Sequence, residues 1–233
     1  MKRSLEKEMM DLTGLPARLL EGDLKNLRTI NRALGAARGV LGCLDGYVEE
    51  NRLTGFSLLD VGAGSGDLSA RIAAWARRKG VPARIVALER DPVAAQMAHR
   101  RTAVWPEISV LRADGFSPPF APRTFDFVFV SQVLHHFSES EIILLLRTWA
   151  GFARRAILVS DLIRHPLAYY GIRVLTGFSR NAMTRTDAPL SVRRAFTMAE
   201  WRGLFEQAHI GEFRLSPFFP FRLFAYFPLK GSK

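Results

Sequence analysis

The sequence predicts an α/β protein whose sheet is mostly parallel and begins at Phe56. Three observations predict this fold class. From Phe56 onward, short apolar segments alternate with amphipathic segments of helical period, which is the order of parallel strands joined by crossover helices. Three alternate glycines follow the first apolar segment directly. Two aromatic-rich segments around Pro220 are typical of a hairpin at one sheet edge.

Short apolar runs mark the strands. The first strand is predicted at residues 56–61, and the fourth and clearest at residues 125–131. The second, third and fifth strands are predicted at residues 84–89, 108–111 and 156–160. Residues 212–219 and 221–227 are separated by a turn at Pro220, so we expect them to form the edge hairpin.

Helix boundaries fall between these strands. The helix after the first strand ends at Gly80, because glycine followed closely by proline is a stop signal. Asp91 and Pro92 open the next helix with a capping residue and a proline at its first position. Ser138 and Thr197 each have the spacing of a capping box and start two later helices.

Two regions lie outside this alternation. Residues 1–55 show helical periodicity without a strand, and we predict that they form a helical N-terminal cap. Residues 161–196 are predicted as a lid insertion within a domain formed by residues 56–233. In that insertion we expect a short amphipathic helix near residues 167–178, followed by a polar, basic loop. Both regions are expected to cover the C-terminal ends of the strands, where open α/β sheets bind ligands.

Charge and cysteine content limit the partners and the compartment. The chain has 33 Lys and Arg against 22 Asp and Glu, a net charge of +11, but most basic pairs stand near predicted helix ends. We therefore expect a solvated basic surface and no nucleic-acid partner. Cys43 is the single cysteine, which favours a reducing, cytoplasmic location. No apolar run is long enough to cross a bilayer, whereas the C-terminal aromatics leave peripheral membrane contact open.

The segment after the first strand is the most informative part of the chain. Gly62, Gly64 and Gly66 alternate where the strand turns into a helix, and the missing Cβ atoms let a ligand approach the backbone. The spacing differs from that of dinucleotide and P-loop motifs, so no pyrophosphate site is indicated. Glu89 ends the second strand, where a carboxylate accepts hydrogen bonds from ribose hydroxyls. Asp114 follows the third strand, where a carboxylate suits an adenine amino group.

As a set, residues 59–66, Glu89, residues 113–115 and residues 125–137 resemble class I S-adenosylmethionine-dependent methyltransferases, over about residues 56–228. Within that superfamily the chain is most similar to bacterial small-molecule methyltransferases related to the ubiquinone and menaquinone type. The resemblance implies a Rossmann-like, seven-stranded sheet with one reversed strand. It also implies S-adenosylmethionine as the cofactor and S-adenosylhomocysteine as the product.

The same resemblance implies which residues hold the cofactor. Asp60 and the glycine loop would surround its methionine part, and Glu89 would bind its ribose. Asp114 would bind the adenine, and Ser131 with Gln132 would face the transferred methyl. The full set of implied cofactor residues is Asp60, Gly62, Ala63, Gly64, Gly66, Glu89, Arg90, Asp114, Gly115, Ser131 and Gln132.

Candidate catalytic residues follow from the chemistry of methyl transfer. A sulfonium methyl is already a good electrophile, so the protein mainly has to align a nucleophile and exclude water. A phenolic nucleophile also has to lose its proton, and histidine is a suitable base near neutral pH. His135 and His136 follow the fourth strand and are the first candidates, with His165 behind them, unless one of the pair only fixes the local turn. No metal is expected, because no acidic cluster lies near the fourth and fifth strands beyond Asp126 and Asp161.

The predicted lid bears on the acceptor. Its apolar side chains suit an aromatic or lipid-like acceptor. A surface helix that packs on the sheet would have the same apolar side chains, so the pattern fits both interpretations. The residues are Tyr169, Tyr170, Ile172, Val174, Leu175 and Phe178. We predict O-methylation of a small phenolic or polyketide-like natural product in secondary metabolism. The alternatives are C-methylation of a quinone or lipid-like precursor, RNA methylation, and a cofactor-binding protein without turnover. RNA is disfavoured because residues 131–134 replace the Asn/Asp-Pro-Pro-Tyr/Phe typical of amine-directed nucleic-acid enzymes.

Overall fold

Seven strands form one mixed sheet in the computed structural model, which describes residues 1–12 and 14–229. The strands are β1 (Phe56–Val61), β2 (Ala83–Glu89), β3 (Ile108–Arg112), β4 (Phe125–Ser131), β5 (Ala153–Leu162), β6 (Arg214–Phe218) and β7 (Arg222–Pro228). Their spatial order is β3-β2-β1-β4-β5-β7-β6. Strands β1 to β5 are parallel, whereas β7 runs antiparallel to both of its neighbours. The predicted fold class, with its reversed strand and terminal hairpin, is confirmed.

Helices connect the strands where the sequence places their caps. Within the described residues they are α1 (Ala17–Ala33), α2 (Arg38–Glu50), α3 (Asp67–Lys79), α4 (Pro92–Thr102), α5 (Glu139–Phe152), α6 (Pro166–Gly177), α7 (Ala182–Arg194) and α8 (Met198–Ala208), with short 3-10 helices at Met9–Asp11 and Leu134–His136. The Asp91 carboxylate caps α4 by accepting hydrogen bonds from the N–H groups of Val93 and Ala94, both at 2.9 Å. Ser138 and Thr197 begin capping boxes ahead of α5 and α8.

Helices cover both faces of the sheet. On one face, α5 and α8 bury Trp149 and Trp201 among the side chains of β4, β5 and β7. On the other face, α2 and α3 bury Leu44 and Ile72 against β1 and β4, including Phe127. Each such side chain contributes roughly 1.5–3 kcal/mol through burial. Because both faces are covered, the C-terminal ends of the parallel strands are left as the place for a ligand.

Strand β5 is longer than the predicted residues 156–160. Near its start, the Arg155 guanidinium donates a hydrogen bond at 3.0 Å to Asp126 of the neighbouring β4. At its far end, Leu162 pairs with Arg222 of β7. The basic pair at 154–155 therefore belongs to a strand, and the extension carries Asp161 into the sheet, where it pairs with Leu223 of β7.

The polar, basic loop predicted in the second half of the insertion is wrong, because most of that stretch is the helix α7. The Asn181 side chain caps this helix by accepting a hydrogen bond from the Thr184 N–H at 3.1 Å. Some of its polar residues face the protein interior, since Asp187 and Arg194 are 2% and 6% exposed, whereas Arg185 and Thr186 are exposed to solvent. The partners of the two buried residues, in the N-terminal residues and, for Arg194, also in residues 135–136, are far away in the sequence, so the local pattern resembles that of a polar loop.

The N-terminal residues form helices, as predicted, and wrap back onto α7. Residues 1–12, here called the N-terminal segment, are held by backbone contacts to this helix. The Ser4 N–H donates to the Arg193 carbonyl at 3.0 Å. The Asp187 carboxylate accepts hydrogen bonds from the N–H groups of Met9 and Met10 at 2.9 and 3.0 Å. The segment is thereby fixed over the C-terminal ends of the strands.

Thr13, inside the predicted cap, and residues 230–233, at the end of the predicted domain, lie outside the described residues. Among the residues that are described, no helix is both long and apolar enough to cross a membrane.

Candidate active site

Glycines set the conformation of the loop after β1. Gly62, Gly64 and Gly66 have φ angles of 67°, 55° and 73°, a region in which other residues are strained. A Cβ on Gly62 would lie 2.5 Å from a methyl carbon of Val133, so packing also excludes a side chain there. A Cβ on Gly64 would meet no protein atom closer than 3.9 Å, on Leu24. The backbone at Gly64 therefore faces open space that a ligand can use.

Gly66 has a different role from the other two glycines. A Cβ there would lie 2.9 Å from Thr102 and 3.3 Å from Ala98, both in α4. Gly66 thus lets α3 approach α4 closely, and among the predicted cofactor residues it alone does not line the cavity described next.

A cavity of about 630 Å³ lies at the C-terminal ends of the strands. Its volume is within the usual range for small-molecule sites, roughly 300–1,000 Å³. The predicted cofactor residues other than Gly66 line one part of it: Asp60, Gly62, Ala63, Gly64, Glu89, Arg90, Asp114, Gly115, Ser131 and Gln132. Apolar side chains from α1 and α6 line another part, including Leu20, Leu24, Leu27, Leu34 and Ile172. A polar and an apolar compartment therefore share one space.

Glu89 connects β2 to the glycine loop. Its carboxylate accepts hydrogen bonds from the Gly64 N–H at 2.8 Å and from the Asp91 N–H at 2.9 Å. Burial raises the pKa of the Glu89 carboxyl above its usual range. A carboxylate offers about four acceptor sites, so two remain for hydroxyl groups of a ligand in the cavity.

Asp60 is a buried acid at the end of β1. Its carboxylate accepts a hydrogen bond from the Ser69 hydroxyl at 2.6 Å and is 2% exposed. Burial, with the nearby negative charge of Glu89, raises the pKa of Asp60 to about 7. A carboxylate in that state favours a positively charged group in the adjoining cavity, since such a group would compensate its charge.

The remaining predicted cofactor residues stand on the loops after β3 and β4. The exposed Asp114 carboxylate accepts a hydrogen bond from the Phe116 N–H at 2.9 Å, which shapes the turn. Gln132 has a φ of 55° and donates its N–H to the Ser160 carbonyl at 2.8 Å. The buried Ser131 hydroxyl has no hydrogen-bond partner within the described part of the protein.

The two paired histidines lie on the 3-10 helix after β4 and line the same cavity. The His135 Nδ1 lies 2.6 Å from Asp161 Oδ1, and the ring is buried. The His136 Nδ1 lies 2.9 Å from Asp11 Oδ1, and this ring is more accessible. Each imidazole is therefore oriented by a carboxylate, one from β5 and one from the N-terminal segment.

Glu8 is a site residue that the sequence analysis missed. It is 1% exposed, and its carboxylate lies between the two imidazoles. Oε1 is 3.7 Å from His135 Nε2, and Oε2 is 3.9 Å from His136 Nε2. The Ser191 hydroxyl donates to Oε2 at 2.8 Å, and burial raises the pKa of Glu8 to about 7. A charged N-terminus gives no local signal for such a site, because its partners are more than a hundred residues away.

Arg194 of α7 ties this cluster to the backbone of the 3-10 helix. It donates hydrogen bonds to the His136 carbonyl at 2.6 Å and to the Glu6 carbonyl. It also pairs with Asp11 at 3.4 Å. The helix that the sequence analysis interpreted as a loop therefore fixes the N-terminal segment against the cavity.

His165 is not brought together with the other candidate residues. It caps α6, where its Nδ1 accepts a hydrogen bond from the Leu167 N–H at 3.2 Å. Its ring stacks on Phe221 at 4.8 Å, and it does not line the cavity in the described structure. This geometry accounts for His165 as a helix cap and leaves its predicted catalytic role without support.

Helix α6 contributes a different set of residues to the cavity than the sequence predicts. Of the predicted apolar residues, Ile172 and Leu175 line the cavity. Tyr170, Val174 and Phe178 are exposed, with Phe178 at 90%. The helix bears apolar side chains on two faces, so periodicity alone does not decide which face turns inward.

The chain has the fold of the class I S-adenosylmethionine-dependent methyltransferases. A family profile described as a methyltransferase domain matches residues 58–155, which run from β1 into β5. That stretch contains the glycine loop, Glu89, Asp114 and both paired histidines.

One curated relative shares sequence with a part of the chain. A segment of 71 residues is 37% identical to the 2-phytyl-1,4-naphtoquinone methyltransferase of Thermosynechococcus vestitus. The match covers 30% of this chain and 30% of that protein.

Solved structures share the fold at low sequence identity. The plantazolicin methyltransferase BamL, in complex with a triazolic desmethylPZN analog and SAH, has a TM-score of 0.68 at 12% identity, over 92% of this chain and 98% of that chain. The magnesium protoporphyrin IX methyltransferase ChlM from Synechocystis PCC 6803, with bound SAH, has a TM-score of 0.58 at 16% identity, over 85% and 83%. The CMeT domain of the citrinin polyketide synthase has a TM-score of 0.57 at 13% identity, over 76% of this chain and 47% of that chain.

The cofactor of this class, S-adenosylmethionine, fits the residues present. The Gly64 backbone is open toward the cavity, and Glu89 keeps acceptor sites for ribose hydroxyls. The buried Asp60 carboxylate complements the positive charges of the methionine part of the cofactor.

Proposed function

We propose that this chain transfers the methyl group of S-adenosylmethionine to a small, largely apolar acceptor. The observation that carries the proposal is the shared cavity, in which the glycine loop and Glu89 stand beside a polar histidine cluster and apolar walls. The cofactor supplies an electrophilic methyl group. The protein has to hold the two reactants in line and keep water out, which accounts for much of the rate gain in such a transfer.

The preferred acceptor is a phenolic or polyketide-like molecule that is methylated on oxygen, in secondary metabolism. Its hydroxyl has to lose a proton, and the cluster of Glu8, His135 and His136 lies where that proton would go. His136 is the better candidate for direct contact because its side chain is 14% exposed, against 3% for His135. A positioned base contributes about 10²- to 10⁴-fold to a rate.

A second acceptor class is a quinone or lipid-like precursor methylated on carbon. The name of the curated relative and the apolar lining from α1 and α6 favour it. An apolar acceptor has to reach the cavity, and α6 places exposed Leu167, Tyr170 and Val174 beside the residues that line it. Peripheral contact with a membrane is therefore part of this second proposal. RNA is a third possible acceptor, and the assay described below includes it.

We divide the chain into a cap, a lid and a core according to which residues line the cavity. Residues 1–55 act as a cap, because the N-terminal segment supplies Glu8 and Asp11 and α1 supplies apolar wall residues. Residues 161–196 act as a lid, because α6 and α7 line the cavity from the other side. The lone Cys43 supports a cytoplasmic location.

The test begins with binding and proceeds to turnover. Calorimetry should show that the purified protein binds S-adenosylhomocysteine, and methyl-labelled S-adenosylmethionine should transfer label to a member of a panel of phenols, quinones and RNA. Label on a phenolic oxygen supports the first acceptor class, and label on a quinone carbon supports the second. A folded protein without affinity for S-adenosylhomocysteine contradicts the proposed function altogether.

A further inference from the structure

Three side chains in the cavity bring possible metal-ligand atoms together. One oxygen of Glu8 and one ring nitrogen each of His135 and His136 all lie within 4.8 Å of one another. Two of these residues come from the 3-10 helix after β4, and the third comes from the N-terminal segment. The elements are separate, so the convergence is a property of the tertiary structure.

The hydrogen bonds that each imidazole makes through Nδ1 determine whether its Nε2 faces Glu8 with a lone pair. Both Nδ1 atoms lie within hydrogen-bond distance of carboxylates, at 2.6 Å for Asp161 and 2.9 Å for Asp11. Ionised carboxylates only accept hydrogen bonds, so each Nδ1 carries the hydrogen. In the neutral rings, both Nε2 lone pairs then face Glu8, at 3.7 and 3.9 Å.

The Glu8 carboxylate has one oxygen without any hydrogen-bond partner. Oε1 is unpaired within the described residues, although Glu8 is 1% exposed. Leaving a buried carboxylate oxygen without a hydrogen bond is costly once the group is ionised, so a cation that binds Oε1 directly is favoured. The Arg194 guanidinium lies at ion-pair distance, with its Nε 3.7 Å from Oε1, but it donates its hydrogen bonds to the carbonyls of His135 and His136 and leaves Oε1 without a donor.

We propose that Glu8, His135 and His136 bind a divalent transition-metal ion of the Zn²⁺ type in the acceptor part of the cavity. Two imidazoles and one carboxylate form a ligand set that suits Zn²⁺ and leaves a fourth position for water or substrate. The carboxylates of Asp161 and Asp11 match the usual outer partners of metal-bound histidines, which hold the ring and its tautomer. The sequence predicted no metal from the lack of an acidic cluster near the fourth and fifth strands, and Glu8 lies more than a hundred residues before the histidines.

The open position would face the cavity, since all three ligands line it. With the ion bound, the His136 Nε2 lone pair is a ligand and is no longer free to accept a proton. The cation instead lowers the pKa of a hydroxyl placed beside it, which is what a phenolic acceptor needs before methylation. This role rests on the proposed function. Metal binding itself does not, and the test measures it directly.

The test is metal binding by the full chain after treatment with EDTA. Titration with Zn²⁺, followed by calorimetry, should show one tight site per chain, and Co²⁺ should give the visible absorption of a four- or five-coordinate ion. Glu8→Gln and His136→Gln should weaken Zn²⁺ binding by about 100-fold or more, whereas Asp11→Asn, an outer partner, should weaken it about 10- to 100-fold. His165→Gln is the matched control, because this histidine lies outside the cavity and should leave the affinity unchanged.

Two results would overturn the proposal: the EDTA-treated parent fails to bind Zn²⁺ stoichiometrically, or Glu8→Gln binds it as tightly as the parent. In that case Glu8 and the two histidines share a proton instead of binding a metal ion. Circular dichroism of each variant checks that it is folded. Calorimetry with S-adenosylhomocysteine in EDTA separates the two proposals, because cofactor affinity without metal leaves the proposed function intact.

Discussion

The Glu89 carboxylate accepts a hydrogen bond from the Gly64 N–H at 2.8 Å, which fixes the glycine loop against the end of β2. The acid that the sequence analysis assigns to ribose therefore also holds the loop in place. The side chain proposed to bind the cofactor is therefore also one that shapes the glycine loop.

Removing this acid should affect the loop and the ligand together. We expect Glu89→Ala to lower S-adenosylhomocysteine affinity by at least about 100-fold, because it removes charge-assisted hydrogen bonds and unpairs the Gly64 N–H. Calorimetry measures the loss. Glu107→Ala is the control, since Glu107 is paired with Arg77 and does not line the cavity. Retained affinity in Glu89→Ala would argue against the assignment.

Gly64 and Gly80 allow backbone strain to be separated from occlusion of the site. Their φ angles are 55° and 70°, and neither Cβ would meet a protein atom within 3.8 Å. We expect Gly64→Ala and Gly80→Ala each to lose about 1–2 kcal/mol of stability from the left-handed backbone. In calorimetry, only Gly64→Ala should also lose S-adenosylhomocysteine affinity. Equal affinities in both variants would show that Gly64 does not face the cofactor.

Asp60 should make stability depend on pH in a definite direction. Burial raises its pKa in the folded protein to about 7, above the ordinary unfolded value of about 3.9. The unfolded chain therefore binds fewer protons at this group between about pH 4 and 7, and its contribution to stability is lost as pH rises through that window. We expect Asp60→Asn to melt above the parent at pH 8 and to match it near pH 4 in thermal denaturation. A difference in melting temperature that is constant across this range would contradict the assigned shift.

His136 and His165 distinguish a residue of the cavity from a helix cap. We expect His136→Ala to keep S-adenosylhomocysteine affinity and to slow turnover of the acceptor by about 10²- to 10⁴-fold, since the ring faces the acceptor part of the cavity. His165→Ala should reduce the helix cap on α6 and change turnover little. Steady-state rates with the acceptor identified in the label assay provide the measurement. Turnover of His136→Ala at the parental rate would exclude His136 as the proton acceptor.

The inward face of α6 should determine how well an apolar acceptor binds. Ile172 lines the cavity, whereas Val174, two residues further along, is 68% exposed. We expect Ile172→Asn to raise KM for the acceptor by about 10-fold, from the loss of one buried apolar contact, with cofactor affinity unchanged. Val174→Asn should leave KM nearly unaltered in solution. Equal effects on KM from both variants would show that α6 does not contact the acceptor.

Local signals in the sequence determined most of the fold. The bounds of β1 and β4, the caps at Asp91, Ser138 and Thr197, and the terminal hairpin all depend on neighbours within a few residues. The glycine loop and the acids at the ends of β2 and β3 could also be predicted to lie together, because a parallel sheet brings consecutive strand ends to one edge.

Tertiary structure alone decided the acceptor side of the site. Glu8 meets His135 and His136 because α7 is folded with Asp187 and Arg194 turned inward, in a stretch that the sequence analysis interpreted as a polar, basic loop. A polar residue has the same local pattern whether its partner is water or a distant carboxylate. Periodicity and caps report the energetics of adjacent residues, whereas long-range pairing of buried polar groups depends on which surfaces the folded chain brings together.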